Sequence, residues 1–260
     1  TAKGCWLGAA MVDPLRILIL GGTGEGRRLA GELDGDLRFH VETSLAGATA
    51  NPAKIAGDVR RGGFGGAAGL EAYLFAQGID LVVDATHPFA DTISRSAVAA
   101  CESSMTDRLA ICRPTWESQA GDRWVSVANV DAAAACVSEY GTRVFLTIGR
   151  QEIDAFEECH DIWFLIRLID LPVTSPSLNS FKLISDRGPF DLAADRRMFQ
   201  EYEIDCIISK NSGGTDTYSK IKVAREAGIP VIMIERPEAP KVPVVDTVEA
   251  ALEWIEAKIR

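Results

Sequence analysis

The 260-residue sequence lacks any apolar run close to the roughly 20 residues that a membrane-spanning helix needs. Its longest apolar stretches, such as residues 81–83 and 229–234, have the length of single strands. Basic residues are fewer than acidic ones, 27 against 37, so the formal net charge is −10. Such a molecule repels polyanions. We therefore expect a soluble protein whose partners include neither a membrane nor a nucleic acid.

Histidine and paired cysteine are also scarce. The chain has three histidines and six cysteines, and none of its cysteines forms a C-x-x-C pair. Dispersed ligands of this kind lack the spacing of a zinc site, and isolated cysteines in apolar stretches are typical of buried, reduced thiols. The sequence therefore predicts no metal and a cytoplasmic location.

The first thirteen residues contain Lys3 and a short apolar stretch, as a secretory signal does. The stretch is very short for a signal, and a predicted strand begins almost at once at Leu15. We expect residues 1–13 to be a loosely ordered tail, with Met11 as a candidate alternative start.

The rest of the chain alternates short apolar runs with helical stretches, which predicts βαβ units and parallel sheets. The pattern occurs twice. The strand that begins at Leu15 and the strand that begins at Thr142 both run into glycine, and residues 91–99 match residues 216–224 in the arrangement of Asp, Thr, Ser and a basic residue.

This order of matched segments indicates a tandem duplication. The predicted fold class is α/β, with two Rossmann-like parallel-sheet domains over residues 14–140 and 141–260. We expect the first domain to bind NADP, the second to contribute to substrate binding, and the ligand cleft to lie between them.

A glycine-rich turn follows the first strand, at residues 21–26, and leads into a helix. Glycines let the backbone approach a pyrophosphate, whose charge is then stabilised by the N–H groups of the helix N-terminus. The complete G-x-G-x-x-G pattern would have glycine at position 27, where this chain has arginine. The predicted cofactor-binding residues of this turn are Gly21, Gly22, Thr23, Gly24, Glu25, Gly26 and Arg27.

The end of the second strand indicates which dinucleotide would bind. NAD-specific sites commonly carry a carboxylate there, whereas this chain has Thr43 and Ser44. Hydroxyl groups with arginines nearby in sequence favour NADPH. Glu42 leaves NAD as the alternative cofactor. If the predicted end of the strand were wrong by two residues, the Glu42 carboxylate would lie at the strand end.

A further strand of the first half ends in the segment DATHPFA, residues 84–90. Ligands of open α/β sheets bind at this edge, so we add Thr86 to the predicted cofactor contacts and name His87 as the candidate catalytic residue. The alternative for His87 is a structural role. We expect the same of His40 and His160.

The matching strand of the second half ends in SKNSGG, residues 209–214, and several arginines fall near other strand ends. Lysine, amide and hydroxyl groups on a glycine-rich strand end suit an anion, and arginine suits carboxylates. The predicted substrate-binding residues are Arg113, Arg150, Lys210, Asn211, Ser212, Gly213 and Arg236.

Two other functions stay open on the residues alone. Tyr218 and Lys222 have the Y-x-x-x-K spacing of short-chain dehydrogenases, although they lie in the second half, far from the glycine turn. A reductase or epimerase of that type would need Tyr218. The other alternative is a protein that binds NADP as a sensor without catalysis.

Nine segments give the chain a resemblance to a known family. They are GGTGEGRRLA, TSLAG, GGFGGAAGL, DATHPFA, RPTWE, VFLTIGRQE, GPF, SKNSGG and PVIMIERP. In that order, and across almost the whole chain from Leu15, they resemble the precorrin-6A reductases of cobalamin biosynthesis. The resemblance implies two Rossmann-like domains and NADPH-dependent reduction of precorrin-6A to precorrin-6B.

The implied partner is therefore a tetrapyrrole with many carboxylates, bound by a monomer or small homo-oligomer. One position departs from the pattern, since the family often has arginine after TSLAG where this chain has Ala48. We expect Arg27, Arg60 or Arg61 to replace it.

Overall fold

The structure is a computed structural model that describes residues 13–47, 53–238 and 241–259. Nearly all of the expected N-terminal tail, and Ala48, lie outside the described residues. Within them, no helix is long and apolar enough to cross a membrane. The described cysteines are free thiols, and no described group of three or more His, Cys, Asp and Glu residues could hold a metal ion.

The first sheet has six parallel strands in the order β12-β5-β4-β1-β2-β3. Their bounds are Leu15–Leu20 (β1), Phe39–Leu45 (β2), Asp58–Arg61 (β3), Leu81–Asp84 (β4), Asp107–Ile111 (β5) and Val244–Val245 (β12). The helices on its two faces are Gly24–Leu33 (α1), Ala67–Gln77 (α2), Asp91–Ser104 (α3) and Val248–Glu256 (α7). Both faces are buried, which explains the nearly continuous apolar runs of β1 and β4.

The second sheet also has six parallel strands, in the order β6-β11-β10-β7-β8-β9. Their bounds are Trp124–Val127 (β6), Arg143–Thr147 (β7), Trp163–Leu168 (β8), Phe181–Ser185 (β9), Cys206–Lys210 (β10) and Val231–Ile234 (β11). Its α-helices are Val130–Cys136 (α4), Leu192–Glu201 (α5) and Ser219–Ala227 (α6), and 3₁₀ segments cover Val137–Glu139 and Arg150–Phe156. Two parallel α/β sheets confirm the predicted fold class.

Local sequence determines where several helices begin. Thr23, Asn129, Asp191 and Thr247 precede α1, α4, α5 and α7, and each side chain accepts a hydrogen bond from a backbone N–H of the first helical turn. Capping of this kind satisfies a donor that has no partner inside the helix. Helix α3 is different, because its N-cap is Ala90 and no side chain caps it.

The two sheets exchange their edge strands. Strand β6 pairs with β11 of the second sheet, and β12 near the C-terminus pairs with β5 of the first. Helix α4 follows β6 into the core of the second sheet, and α7 follows β12 into the core of the first. The boundary expected between residues 140 and 141 therefore does not coincide with the division between the sheets, because matching order along the chain does not determine which sheet pairs with an edge strand.

Candidate functional site

The glycine turn joins the end of β1 to α1 and is held from two sides. The Gly21 N–H donates to the Ser44 carbonyl at 2.9 Å, and Gly22 has a φ of 132°, which favours glycine. The Thr23 hydroxyl donates to the Ala85 carbonyl at 2.7 Å and accepts from the Gly26 N–H at 3.2 Å. These bonds fix the turn against β2 and the end of β4.

Two glycines of this turn allow close approach. A Cβ at Gly21 would lie 2.8 Å from Thr43 Cγ2, and a Cβ at Gly26 would lie 3.1 Å from Ala85 Cβ. Gly26 thus permits the tight packing of helix on strand that the last glycine of the full pattern provides. Arg27, which stands at that last position, is exposed. The turn therefore fits a dinucleotide pyrophosphate in spite of the missing glycine.

The end of β2 presents hydroxyl groups with an arginine beside them. Ser44 pairs in register with Leu20, the last residue of β1, and its hydroxyl accepts from Arg60 Nη1 at 2.8 Å. The Arg60 guanidinium also lies over the Phe64 ring, 3.9 Å from its centroid. Thr43 is fully buried, and its hydroxyl oxygen has no hydrogen-bond partner in the part of the chain that the structure describes.

Glu42 does not occupy the strand end. It pairs with Leu18, two residues before the end of β1, and its carboxylate accepts a hydrogen bond from the Tyr73 hydroxyl. Burial, together with this carboxylate, raises the pKa of Tyr73 to about 12, so the phenol keeps its proton. Glu42 therefore acts as an acceptor within the protein.

A buried ion pair supports the turn after β4. Arg108 and Asp84 have side chains that are each 5% exposed, and Arg108 Nη2 donates to Asp84 Oδ2 at 2.7 Å. The other Asp84 oxygen accepts from the Thr86 hydroxyl at 2.7 Å. The pair thus orients Thr86 at the edge where the cofactor was expected.

His87 lies next to Thr86 and faces a group of cations. Its Nδ1 accepts from the Phe89 N–H at 3.3 Å, so Nε2 carries the proton of the uncharged ring. Partial desolvation by its surroundings, together with Arg113, Lys210 and Arg236, lowers the pKa of His87 to about 4. His87 as a whole residue is nevertheless exposed to solvent. The ring is therefore uncharged at neutral pH in the ligand-free protein.

Arg113 connects the two sheets. It follows β5, its Nη1 donates to both oxygens of Glu25 at 2.8–2.9 Å, and its Nε donates to the Ser212 carbonyl at 2.8 Å. Burial would raise the pKa of Glu25, but the hydrogen bond and charge of Arg113 lower it. The glycine turn and the SKNSGG segment thus share one arginine.

Arg236 and Asn211 add further contacts across this interface. Arg236 donates to the carbonyls of Arg113 and Ser212 and to the Cys112 sulfur, at 2.9–3.1 Å. The Asn211 side chain bonds both backbone groups of Trp116, at 2.8 and 3.0 Å. The strand ends of the second sheet therefore pack directly on the segment that follows β5.

The close packing of the SKNSGG segment on the residues after β5 requires glycine at position 213. Its φ is 67°, and a Cβ there would lie 2.0 Å from the Pro114 carbonyl oxygen. Lys210, at the end of β10, pairs with Glu152 and lies 5.1 Å from the centroid of the Phe89 ring. Arg150 lies exposed just beyond β7, at the same edge of the second sheet.

Other histidines and the Tyr218 motif lie elsewhere. His40 is 3.8 Å from Asp58 on β3, and His160 is hydrogen-bonded to Asn179. The Tyr218 hydroxyl accepts from Arg225 Nη2 at 2.8 Å, and its ring packs against Trp116. These contacts hold Tyr218 in the core of the second sheet, and they do not favour a short-chain dehydrogenase.

Three contributors were not among the predicted site residues. Arg108 and Asp84 form the buried pair below Thr86, and Trp116 packs in a core cluster of the second sheet, donating from Nε1 to the Gly214 carbonyl at 2.7 Å. Arg108 had a signal in the sequence, because it is a cation near the start of a mainly apolar strand. No sequence signal indicated that Glu25 pairs with Arg113, since the two residues are far apart along the chain.

The strand ends of the first sheet carry a turn suited to a dinucleotide, and Arg113 and Arg236 join them to the strand ends of the second. This arrangement defines an α/β protein of the Rossmann type, the class on which nicotinamide-dependent oxidoreductases are built.

Comparisons with known proteins give the particular family. A sequence model described as "Precorrin-6x reductase CbiJ/CobK" matches residues 16–256, and the chain therefore belongs to this family of oxidoreductases of cobalamin biosynthesis.

Individual relatives agree with this assignment. The chain is 44% identical over 241 residues to "Precorrin-6A reductase" of Rhodococcus erythropolis, covering 92% of this chain and 97% of the relative. It is 44% identical over 248 residues to the protein of that name from a Sinorhizobium species, covering 95% and 94%. A solved structure titled "CobK precorrin-6A reductase" matches with a TM-score of 0.88 and 39% identity, covering 93% and 96%.

Proposed function

We propose that this protein reduces precorrin-6A to precorrin-6B with NADPH. The observation that carries the proposal is the glycine turn of the first sheet, joined through Arg113 to the SKNSGG strand end of the second. When bound, the nicotinamide supplies a hydride to one carbon of the C18=C19 unit. A proton must be added to the other carbon, so the product is two mass units heavier than the substrate.

The residues of the glycine turn would hold the pyrophosphate. The Gly22 to Gly26 segment presents backbone N–H groups at the start of α1, where an anion is stabilised by the helix dipole. Glu25 would not contact the pyrophosphate, because its carboxylate accepts hydrogen bonds from Arg113. The Glu25–Arg113 pair instead ties the turn to the second sheet.

The preference for NADPH over NADH is assigned to Arg60 and Ser44. Among the described residues, Thr43 and Ser44 occupy the strand end, the nearby Glu42 carboxylate accepts from Tyr73, and the Arg60 guanidinium suits a 2′-phosphate. Arg60 thus serves as the replacement for the arginine that the family often has where this chain has Ala48.

An Arg60→Gln variant tests this assignment. We expect it to weaken NADPH binding by about tenfold, the loss of one charge-assisted contact, and to leave NADH binding unchanged. Arg38→Gln is the matched control. Arg38 is an exposed arginine that is paired with Asp36, and it precedes the amino end of β2, whereas Ser44 and the proposed 2′-phosphate site lie at the carboxyl end. Equal weakening of both cofactors by Arg60→Gln would contradict the assignment.

The cations between the sheets would bind the peripheral carboxylates of the substrate. Lys210, Arg113 and Arg236 lie together around His87, and Arg150 lies at the same edge of the second sheet. Lys210 and Arg113 are paired with Glu152 and Glu25, so the substrate carboxylates would compete with these two glutamates for the cations. This placement would orient the macrocycle between the two sheets.

His87 is proposed as the proton donor. In the free protein the neighbouring cations keep its ring uncharged, but carboxylates bound to those cations would neutralise them and raise the pKa of the ring. His87→Ala should therefore lower kcat, and His87→Gln should not restore it. Near-normal turnover by His87→Ala would assign the proton to solvent or to the macrocycle.

The reaction itself is tested by an anaerobic assay of NADPH oxidation with precorrin-6A, with NADH and the cobalt-bearing substrate as separate arms. We expect NADPH loss that matches formation of a product two mass units heavier. Binding of NADPH without oxidation by either substrate would contradict the proposal and favour an NADP sensor.

The two halves are proposed to descend from a tandem duplication. The sheet orders support this, since β7, β8, β9, β10 and β11 occupy the positions of β1, β2, β3, β4 and β5, and β6 occupies that of β12. We further propose that the protein acts in the cytoplasm, in keeping with the free thiols of its described cysteines.

A further inference from the structure

A small cavity lies beside the ends of β4 and β5, where the two sheets meet. It has a volume of about 60 Å³, and its wall includes His87 after β4, Cys112 after β5 and Arg236 from the second sheet. A space of this size admits a molecule as small as water or hydrogen peroxide. The cavity therefore brings a thiol within reach of small solutes.

The sulfur of Cys112 is in contact with a cation. Arg236 Nη1 donates to Cys112 Sγ at 3.1 Å. The thiolate is the form of cysteine that attacks oxidants and electrophiles, and an adjacent arginine stabilises that form. This contact prepares Cys112 for reaction.

Four other described cysteines have a different environment. The sulfurs of Cys136 and Cys159 donate to backbone carbonyls of α4, both at 3.6 Å. Burial raises the pKa of both thiols, and it raises the pKa of Cys101 to about 11 and that of Cys206 to about 12. These four thiols keep their protons at neutral pH and should react slowly.

The same cavity holds hydrogen-bond donors that lack acceptors. The Arg108 side chain is 5% exposed, and although its Nη2 donates to Asp84, its Nε and Nη1 have no partner among the described residues. The buried Nε of Arg236 also lacks a partner there. Such donors are uncommon, because each loses its hydrogen bonds to water on folding. An oxygen atom added to the sulfur would bring an acceptor into this cavity.

Carboxylates line the cavity as well. Asp84 is paired with Arg108, and Asp91 is paired with an arginine one turn further along α3. Glu238 is exposed, so solvent and salt screen its charge. Arg236 differs from these groups because its guanidinium contacts the sulfur itself. The direct contact therefore favours a negatively charged sulfur, although the wall carries both signs of charge.

We propose that Cys112, activated by Arg236, is a site of oxidation by hydrogen peroxide, and that this oxidation reversibly inactivates the protein. The thiolate attacks one peroxide oxygen, the O–O bond breaks, and the products are a sulfenic acid and hydroxide. Sulfur loses two electrons and the peroxide gains them. Inactivation rests on the proposed function, because Thr86 and His87 line the same cavity and belong to the proposed site.

The first experiment exposes the full chain to hydrogen peroxide with dimedone, which captures sulfenic acids, and identifies each modified cysteine by peptide mass spectrometry. All samples carry Cys5→Ser, so that no disulfide forms between Cys5 and oxidised Cys112. We expect capture at Cys112 to be about tenfold faster than at Cys136 and Cys159, the half-buried controls in the same chain. Equal rates, or faster capture at either control, would contradict the proposal.

Arg236→Met separates activation by the guanidinium from access alone. Without this charge, capture at Cys112 should slow by about tenfold, and capture at Cys136 and Cys159 should not change. Unchanged rates at these two cysteines also show that the second sheet is folded. Capture at Cys112 at the wild-type rate or faster would show that Arg236 does not activate it.

Turnover of NADPH with precorrin-6A tests the inactivation. Peroxide should remove most of the activity, and dithiothreitol should restore it by reducing the sulfenic acid through a mixed disulfide. Cys112→Ser should have near-normal activity and keep it through the same treatment, whereas equal loss in this variant would overturn the inactivation. If the untreated protein shows no turnover, the proposed function fails, and dimedone capture still decides whether Cys112 is oxidised.

Discussion

Individual residues determine how closely the first strand end can be approached. Gly21 packs against Thr43 so tightly that a methyl group would lie 2.8 Å from Thr43 Cγ2, with Leu45 Cδ2 next at 3.3 Å. This contact sets the position of the turn relative to β2, and therefore the space left for a pyrophosphate.

We expect Gly21→Ala to displace the turn, to weaken NADPH binding and to destabilise the fold by about 1–3 kcal/mol, the usual cost of overpacking. Thr43→Ser removes the methyl group that the new Cβ would meet. In a double-mutant cycle by urea unfolding and NADPH titration, Thr43→Ser should therefore recover much of the loss. Additive effects of the two substitutions would show that the contact is not the cause.

Lys220 is a buried cation that the proposed reaction does not use. It is 4% exposed, its Nζ donates to the Thr217 carbonyl at 3.0 Å, and the Trp116 ring centroid lies 5.2 Å away. Burial, followed by the charge of Arg167, lowers the pKa of Lys220 to about 7, although Asp195 acts to raise it.

A pH dependence follows from this value. Between about pH 7 and pH 10 the unfolded chain holds a proton on Lys220 that the folded chain lacks, so the free energy of unfolding rises with pH, by up to about 1.4 kcal/mol per pH unit. Lys220→Met should remove this part of the slope. Urea unfolding of both proteins at pH 7, 8 and 9 measures it, and equal slopes would contradict the assignment.

At the scale of elements, the C-terminal helix belongs to the sheet of the first half. Val248, Ala251 and Ile255 on α7 are at most 3% exposed and pack against β1, β4 and β5 of the first sheet. Helix α7 therefore stabilises the sheet that carries the proposed cofactor site, although the helix is far from the glycine turn along the chain.

Ile255→Ala should lower the free energy of unfolding by about 2–5 kcal/mol, because it leaves a cavity in a fully buried position. Glu253→Ala, on the exposed side of the same helix, is the control and should change it by less than about 0.5 kcal/mol. Hydrogen exchange would localise the effect. Faster exchange in β5 is expected, whereas faster exchange confined to β11 would contradict the exchange of edge strands.

At the scale of the whole molecule, neither half of the chain has a complete sheet of its own. Residues 13–140 carry β6 and α4, which pack on the second sheet, and residues 141–260 carry β12 and α7, which pack on the first. The interface through Arg113, Arg236 and Asn211 adds to this mutual dependence.

We therefore expect one cooperative thermal transition for the full chain, as for a single domain. Fragments 13–140 and 141–260 should each be unfolded or aggregated when produced alone, since each exposes the apolar face of an unpaired edge strand. Mixed together from denaturant, they should form a folded complex. A cooperative transition in either isolated fragment would show that its sheet is stable without the exchanged strand.

The sequence by itself determined the features that depend on residues close together in the chain. Alternation of apolar runs and helical stretches predicted two parallel sheets, and the glycine turn, Thr86 and His87 are predicted site residues because each directly follows a buried strand. Local sequence determines strands, turns and caps, since their backbone hydrogen bonds and φ preferences involve neighbouring residues.

Only the tertiary structure decided which edge strand joins which sheet, that Gly26 takes the role expected at position 27, and that Arg113 pairs with Glu25. It also placed two arginines at one cavity: Arg236, which the sequence predicts as a substrate-binding residue, and Arg108, which it does not predict as a site residue. These features depend on contacts between residues far apart in the chain. An edge strand forms similar hydrogen bonds on either sheet, so its choice depends on packing of the whole molecule rather than on its own sequence.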